Sequence, residues 1–211
     1  MFLGRLSAPM RLLVDSDAFC KLAVCGLLSD AAALFHAELD ECGRLPALPH
    51  MLRRGRLRQR YGETVCDGLI PLAEEMPLVV AASTSWLEEL APIPDIDPGE
   101  TILFATAADR RIPVITGDIR SLHALKNLEG FPGALEGRIA VLEAVLLALC
   151  GRLGTATMRS RVESVPQADT VMRICFSPNE EEPEPALRSY LRDRRIQLAP
   201  LVLWGTDEEA E

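Results

Sequence analysis

The sequence predicts an α/β fold in which a parallel β-sheet lies between two layers of helices. Short apolar runs alternate with amphipathic helical segments, which is the pattern of consecutive βαβ units. The chain has 211 residues, of which 48% are hydrophobic and 25% are charged, enough for one sizeable domain with an apolar core. Because only 5% of the residues are aromatic, we expect a core of Leu, Ala, Val and Ile.

The beginning of the domain shows one strand signal followed by two helix signals. Residues 11–14 (RLLV) are a short apolar run that ends at Asp15. Apolar side chains then recur at helical spacing, and Asp17 is the predicted N-cap of that helix. Ser29 is a second N-cap candidate, placed before a predicted helix at residues 30–39.

The next segment is rich in arginine and contains turn-forming residues. Gly43 and Pro46 interrupt the periodic pattern. Residues 49–60 then predict one Arg-rich helix, and residues 63–75 predict another. A short helix is expected to end near Leu90, before a loop rich in proline.

The second half of the domain contains the other strand signals. Asp97 is predicted to cap a helix whose first residue is Pro98, which suits the first helical position. Residues 112–116 (IPVIT) are a predicted strand that is followed by Gly117 and Asp118. The other elements predicted here are a helix from residue 98 to about residue 110, a helix at 119–126, a loop at 131–137, a strand at 139–142 and a helix at 143–153.

Beyond Gly154 the alternation of strands and helices weakens, which predicts a change of organisation. We expect a single domain at residues 10–154, a helical appendage at residues 155–204 and a disordered acidic tail at residues 205–211. Helices in the appendage are expected at residues 156–163, 168–174 and 185–194.

Charge and cysteine content narrow the function classes. The formal net charge of −9 argues against a protein that coats nucleic acid indiscriminately. The six cysteines form no CxxC pair and have no His at zinc-like spacing, so we expect buried thiols in a reducing compartment. The apolar runs are shorter than the roughly 20 residues of a membrane span, and no signal peptide is evident. These features predict a cytoplasmic protein without a membrane partner.

A basic cluster stands out against the acidic background. Five arginines lie between Arg53 and Arg60. Arg54, Arg56 and Arg58 are the candidates for contact with RNA, because clustered arginines attract a phosphate backbone. The alternative is a solvated helix face, and the sequence leaves both interpretations open.

Three acidic residues are predicted to converge at one edge of the sheet. Asp15 and Asp118 each follow a predicted strand, and open parallel sheets bind ligands outside the carboxyl ends of their strands. Glu100 lies in the first turn of a crossover helix, which begins at that same edge in a right-handed unit. Crowded carboxylates repel one another unless a cation offsets their charge. Mg²⁺ and Mn²⁺ prefer oxygen ligands and activate water for phosphodiester hydrolysis.

Each acid also has a local structural interpretation. Asp15 and Asp118 stand where a residue caps a turn or a helix, and Asp17 is foremost an N-cap. Glu100 follows Asp97 at the spacing of a capping box, in which each side chain bonds the other residue's amide. We interpret Asp15, Glu100 and Asp118 as site residues and Asp17 as a peripheral one.

Two segments, RLLVDSDAFCKLA and DPGETILFATAADRRIPVITGDIRSLHAL, resemble blocks of the PIN domain family. The first resembles the opening strand, acid and helix of PIN domains, and the second their late acid, A-T-A helix, strand and T-G-D motif. The resemblance extends over residues 10–145. It implies a metal-dependent ribonuclease, of the kind found in bacterial toxin–antitoxin pairs and in RNA processing. Asp15, Glu100 and Asp118 would then be the catalytic acids that bind Mg²⁺ or Mn²⁺.

The resemblance also implies partners, and it has one gap. RNA is the implied substrate, and an antitoxin-like protein or a second copy of the chain are further candidate partners. PIN domains usually carry a Glu on a helix in their first half, whereas LPALPHMLRRGRLRQR here carries arginines and a histidine. Glu38, Glu41 and Glu63 are the candidates to replace that Glu.

Two other functions are therefore kept beside the ribonuclease. Without the helical Glu, the chain would be an inactive PIN-fold protein that serves as a binding or scaffold module. A phosphohydrolase of the haloacid dehalogenase type would use Asp15 as nucleophile and Asp17 as acid. Ala18 and Phe19 fit the pattern of that third class poorly.

Overall fold

The sheet is parallel throughout and is built from short, fully buried strands. The computed structural model describes residues 9–80, 84–165, 169–177 and 182–205. Within these residues, four strands pair in the order β2–β1–β3–β4. The strands are β1 (Leu12–Val14), β2 (Cys42–Arg44), β3 (Val114–Thr116) and β4 (Ile139–Val141).

Helices connect the strands and continue after the last one. Those that precede β3 are α1 (Ser16–Val24), α2 (Leu28–Leu34), α3 (Leu48–Arg53), α4 (Arg56–Tyr61), α5 (Glu63–Glu75), α6 (Ser85–Leu90) and α7 (Pro98–Arg110). Those that follow β3 are α8 (Ile119–Leu125), α9 (Phe131–Ala134), α10 (Leu142–Leu153), α11 (Thr155–Glu163), α12 (Thr170–Cys175) and α13 (Pro183–Leu198). A 3₁₀ turn, Leu39–Glu41, leads directly into β2.

The strands separate two apolar cores, one on each face of the sheet. Successive side chains of a strand point to opposite faces, and β1 shows this directly. Leu12 and Val14 belong to one core, whereas Leu13 belongs to the other. Helices α1, α2, α3, α5 and α11 bury side chains in the first core, and α6, α7, α8 and α9 bury theirs in the second. The predicted α/β/α fold with a parallel sheet is therefore confirmed.

The register of the central strands brings two of the predicted acids to one edge. Leu13 is paired with Val114 in a parallel ladder, and Val14 with Ile115. The amide of Asp15 continues this ladder by donating to the carbonyl oxygen of Ile115 at 3.0 Å. The prediction that β1 and β3 are parallel neighbours is therefore confirmed.

Strand β2 was not predicted, and Gly43 explains why. The prediction treated Gly43 as an interruption, because glycine inside a strand weakens the usual strand signal. In the structure a Cβ at Gly43 would meet the side chains of Met10 and Leu13, with Cδ2 of Leu13 at 2.8 Å. These side chains leave little room for a larger residue, and the strand forms through the glycine by pairing with β1.

Two helix boundaries differ from the prediction because of local backbone geometry. The Arg-rich segment is not one helix: α3 ends at Arg53, and Gly55, with φ of 126°, separates it from α4. The helix expected at residues 30–39 is α2, which begins at Leu28 and ends at Leu34, shortly before His36 adopts a positive φ of 53°. Both breaks lie at or near residues with positive φ, and the helical periodicity of the sequence does not reveal such conformations.

Two further local predictions are corrected. Asp17 is not the N-cap of α1: that cap is Asp15, whose side chain accepts a hydrogen bond from the amide of Ser16. The expected loop at residues 131–137 contains the short helix α9, which buries Phe131 in the second core.

Residues after Gly154 contribute to the same two cores as the sheet domain. Met158 and Val162 of α11 are buried in the first core, and Leu191 and Leu198 of α13 in the second. The main chain at Leu203 forms a parallel bridge with Ile139, which extends the β4 edge. Of the predicted acidic tail, residues 206–211 lie outside the described residues.

The cysteines and the helices agree with two further expectations. All six cysteines are buried free thiols, as predicted. In the described part of the chain, the helices are all too short or too polar to cross a bilayer.

Candidate active site

A cleft of about 890 Å³ opens at the carboxyl edge of the sheet. It is lined by residues that follow β1, β2 and β3 and by the first turns of the helices that begin there. Its carboxyl groups belong to Asp15, Asp17, Asp97, Glu100 and Asp118. All three acids predicted to converge, together with the peripheral Asp17, therefore line one cleft.

Asp15 occupies the end of β1 and is almost fully buried. Its Oδ1 accepts a hydrogen bond from the amide of Ser16 at 2.7 Å, and 8% of the residue is exposed. Burial raises the pKa of the Asp15 carboxyl to about 6, and the negative charge of Asp17 adds to this rise. Its proton affinity is therefore high for an aspartate.

Glu100 is held at the cleft by the capping box that the sequence predicts. The amide of Glu100 donates to Oδ1 of Asp97 at 2.8 Å, and the amide of Asp97 donates to Oε2 of Glu100 at 2.8 Å. Between them, a Cβ at Gly99 would lie 2.8 Å from Cδ1 of Leu45. The start of α7 therefore packs closely against the residue that follows β2, and this contact fixes Glu100 at the sheet edge.

Asp118 is positioned by the first turn of α8. Its Oδ1 accepts hydrogen bonds from the amides of Arg120 at 2.9 Å and Ser121 at 3.2 Å. The amide of Asp118 donates to the hydroxyl of Thr116 at 3.2 Å, so the end of β3 orients the turn. Asp118 therefore caps a helix and lines the cleft at the same time, and Asp15 and Glu100 likewise combine a capping contact with a place in the cleft.

Glu100 and Asp118 lie next to each other in the cleft. Burial is the main cause that raises the pKa of Glu100 to about 8; contact with the Asp118 carboxyl contributes to this rise, while the amide of Asp97 opposes it. The two carboxyl groups lie within hydrogen-bonding reach. The raised pKa favours the protonated form of Glu100, which can donate to Asp118.

Asp17 lines the cleft and is paired with two cations. Lys21 Nζ lies 2.7 Å from its Oδ2, and Arg60 Nη1 lies 3.4 Å from its Oδ1. Lys21 also contacts Oδ2 of Asp169 at 2.8 Å. Burial would lower the pKa of Lys21, but Asp169 and Asp17 outweigh it and raise the pKa. This ion triad of Asp17, Lys21 and Asp169 connects α1 to the cap of α12.

The arginine cluster divides between the cleft and the outer surface. Arg56 and Arg60 line the cleft. Arg58 instead contacts Asp67 at 2.7 Å, which raises the pKa of its guanidinium, and Arg54 is exposed outside the cleft. Arg56 has no ion-pair partner among the described residues. Of the three predicted RNA-binding arginines, the structure therefore places only Arg56 beside the acids.

Part of the cleft lining is apolar. Leu45, Ala47, Met51 and Leu57 form this apolar wall. Among the described residues that line the cleft, those contributed by α3, α4 and the loop before them include no carboxylate. The three candidates for a replacement Glu have partners outside the cleft. Glu38 forms a capping box with Glu41, Glu41 also contacts Arg11, and Glu63 contacts Arg58.

The cleft suits a divalent cation in its donor chemistry. Burial is the main cause that raises the pKa values of Asp15 and Glu100, and nearby carboxyl groups add to the rise. A divalent cation would oppose both effects, and carboxylate oxygens are the ligands that Mg²⁺ and Mn²⁺ prefer. In the described part of the chain, however, no three His, Cys, Asp or Glu side chains are gathered closely enough to hold a metal ion. Glu100 and Asp118 form an adjacent pair, and Asp15 lines the same cleft.

Three residues of the site were not found from the sequence. Ser16 and Lys21 lie on α1. The sequence could have indicated the ion pair of Lys21, because Lys21 follows Asp17 at the i,i+4 spacing of ion pairs on a helix. Asp169 had no such signal, since its contact with Lys21 joins distant parts of the chain.

The fold and the cleft define the class of this protein: a three-layer α/β/α protein with an acidic cleft at the carboxyl edge of a parallel sheet. No family model matches the chain, and neither a curated protein nor a solved structure matches it.

Proposed function

We propose that this protein is a PIN-like, metal-dependent ribonuclease that hydrolyses RNA phosphodiester bonds. One observation carries the proposal. Asp15, Glu100 and Asp118 come from three separate elements and line one cleft, with Glu100 and Asp118 in mutual contact. A fold does not by itself favour two buried acids, Asp15 and Glu100, beside a third, half-buried one, whereas a cation site does.

Mg²⁺ or Mn²⁺ would be held by Asp15, Glu100 and Asp118. When bound, such an ion supplies an activated water and stabilises the charge that develops on the phosphate. The protein's own contribution is to orient the three carboxyl groups, each through the helix cap that it forms. To become a ligand, the Glu100 carboxyl has to release to solvent the proton that it donates to Asp118.

Single-stranded RNA is the substrate that the walls of the cleft suit best. Arg56 supplies an unpaired positive charge for the phosphate backbone. Met51 is half-buried and supplies apolar surface in the cleft, on which an unstacked base can pack. A base within a duplex does not present its face in this way. We place the activity in the cytoplasm, because buried free thiols persist in a reducing compartment.

A second function, an inactive PIN-fold binding or scaffold protein, is favoured by the apolar wall of the cleft. The residues that α3 and α4 contribute to the cleft include Met51 and Leu57 and no carboxylate. A second metal ion would therefore lack a carboxylate from these helices. In this case the cleft would bind RNA or a protein partner without cleaving it.

Cleavage of an unstructured RNA in Mn²⁺ separates the two functions. The ribonuclease proposal expects wild type to cleave slowly, with Mn²⁺ better than Mg²⁺ because Mn²⁺ generally binds such sites more tightly. Asp15→Asn should abolish cleavage while its far-UV circular dichroism matches wild type. Asp30→Asn is the matched control, since Asp30 pairs with Arg161 away from the cleft. Binding without cleavage by wild type would favour the scaffold.

A further inference from the structure

The hydroxyl of Ser16 is buried without a hydrogen-bond partner. Only 7% of the residue is exposed, and Oγ has no partner among the described residues. Ser16 directly follows Asp15, begins α1 and lines the acidic cleft. Buried polar groups are nearly always hydrogen-bonded, because an unmet donor forfeits its bond to water. The unmet hydroxyl therefore indicates a hydrogen-bond partner that the described part of the chain does not provide.

The other buried helical hydroxyls of this edge show why Ser16 is different. Ser121 donates to the carbonyl oxygen of Asp118 at 3.0 Å, and Thr101 donates to that of Asp97 at 2.9 Å. Such bonds run back to a carbonyl three or four residues earlier. Ser16 is the first helical residue, and the residues before it belong to β1, so this local partner is missing.

The cleft has many acceptors for hydrogen bonds and few donors. Among the side chains that line it, the polar ones are five carboxyl groups, two arginines and Ser16. Arg60 is paired with Asp17, and Arg56 is a charged donor on α4. Apart from Glu100, which donates to Asp118 when it is protonated, Ser16 is therefore the uncharged side-chain donor among the described residues of the cleft, and it directly follows Asp15 in the chain. Rotation about χ1 moves its hydroxyl among three staggered positions.

We propose that Ser16 is a substrate-contacting residue whose hydroxyl donates a hydrogen bond to a non-bridging oxygen of an RNA phosphate in this cleft. A phosphate group accepts hydrogen bonds and does not donate them, so it complements Ser16 and not the ionised carboxylates around it. The inference rests on the proposed function, because it takes RNA as the ligand. It assigns the phosphate to the Asp15 end of the cleft.

The Ser16→Ala variant tests this role through two opposed effects. Its melting temperature should equal or exceed that of wild type, because alanine removes an unmet hydroxyl and favours helix. Its affinity for a labelled single-stranded RNA should fall about ten-fold, the loss expected for one hydrogen bond to a charged group. Binding is measured by fluorescence anisotropy in Ca²⁺, with gel electrophoresis confirming that the RNA stays intact. Ser121→Ala is the stability control and should melt below wild type, since its hydroxyl is satisfied.

The possible results distinguish a failure of the role of Ser16 from a failure of the proposed function. Unchanged affinity in Ser16→Ala, or a melting temperature lowered as far as in Ser121→Ala, overturns the inference. If wild type binds no RNA, the inference fails together with the RNA part of the proposed function. If wild type binds RNA, Ser16→Ala weakens that binding and wild type cleaves nothing in Mn²⁺, the ribonuclease proposal fails while the role of Ser16 stands.

Discussion

Glu100 and Asp118 lie within hydrogen-bonding reach of each other, and burial together with this contact raises the pKa of Glu100 to about 8. The two residues belong to different helices, one before and one after β3. Because both helices begin at the carboxyl edge of the sheet, the fold itself brings the acids together. A buried acid of this kind makes stability depend on pH and on cations.

Glu100 should make the metal-free protein less stable as the pH rises from about 4.5 to about 8, between its ordinary pKa and its raised one. In this window the unfolded chain has released the proton and the folded chain keeps it, so raising the pH favours unfolding. Urea denaturation of wild type and Glu100→Gln across this window measures the effect. The variant should show a flatter dependence, and equal slopes in the two proteins would contradict the assignment.

Asp118→Asn should raise metal-free stability near pH 8 and remove the stabilisation by Mn²⁺. Asparagine keeps the N-cap of α8, so the change mainly removes charge beside Glu100. At Mn²⁺ about 100 times the dissociation constant, wild type should gain about 2.7 kcal/mol, which raises the melting temperature by at least about 5 °C. Asp30→Asn should keep that gain. Equal gains in wild type and Asp118→Asn would argue against a cation site here.

The ion triad of Asp17, Lys21 and Asp169 should be a coupled unit of the fold. A double-mutant cycle with Lys21→Met and Asp169→Asn should give a coupling free energy of about 1–3 kcal/mol, because the two charges are partly buried and in contact. Lys21 lowers the pKa of Asp169 in spite of its burial. This contribution should therefore be present above pH 3.8 and lost as the pH falls below it. Additive effects in urea denaturation would show that the contact contributes nothing.

Arg56 and Arg58 should differ in their effect on RNA binding. Arg56→Ala should weaken binding and reduce the slope of log affinity against log salt by about 0.7, the value for one phosphate contact on a single strand. Arg58→Ala should leave the slope unchanged, because Arg58 is engaged by Asp67 outside the cleft. Filter-binding titrations at several salt concentrations measure both slopes. Equal reductions would place RNA on the outer face of α4.

The sequence was informative where the signal is local. Residues 11–14 and 112–116 are apolar runs that end in acids, and both became central strands with their acids at one edge. The capping box of Asp97 and Glu100 could also be predicted from the sequence, because it depends only on a spacing of three residues.

The features that escaped prediction depend on contacts between distant segments. Gly43 lies in a strand because its backbone pairs with that of Leu13 in β1, and the residues next to Gly43 in the sequence do not indicate that pairing. The contact between Lys21 and Asp169 joins α1 to the cap of α12. The contact that raises the pKa of Glu100 likewise requires Asp118, which is brought near only by the folded sheet edge.

Proton release on Mn²⁺ binding tests the central claim most directly, because it reports whether Glu100 becomes a ligand. Isothermal titration calorimetry at pH 7, in two buffers with different ionisation enthalpies, gives the number of protons released per ion. Wild type should release about one proton per bound ion, since the pKa of Glu100 is about 8, and Glu100→Gln should release almost none. Binding of Mn²⁺ to wild type without proton release, or no binding at all, would contradict a metal site at Glu100 and Asp118.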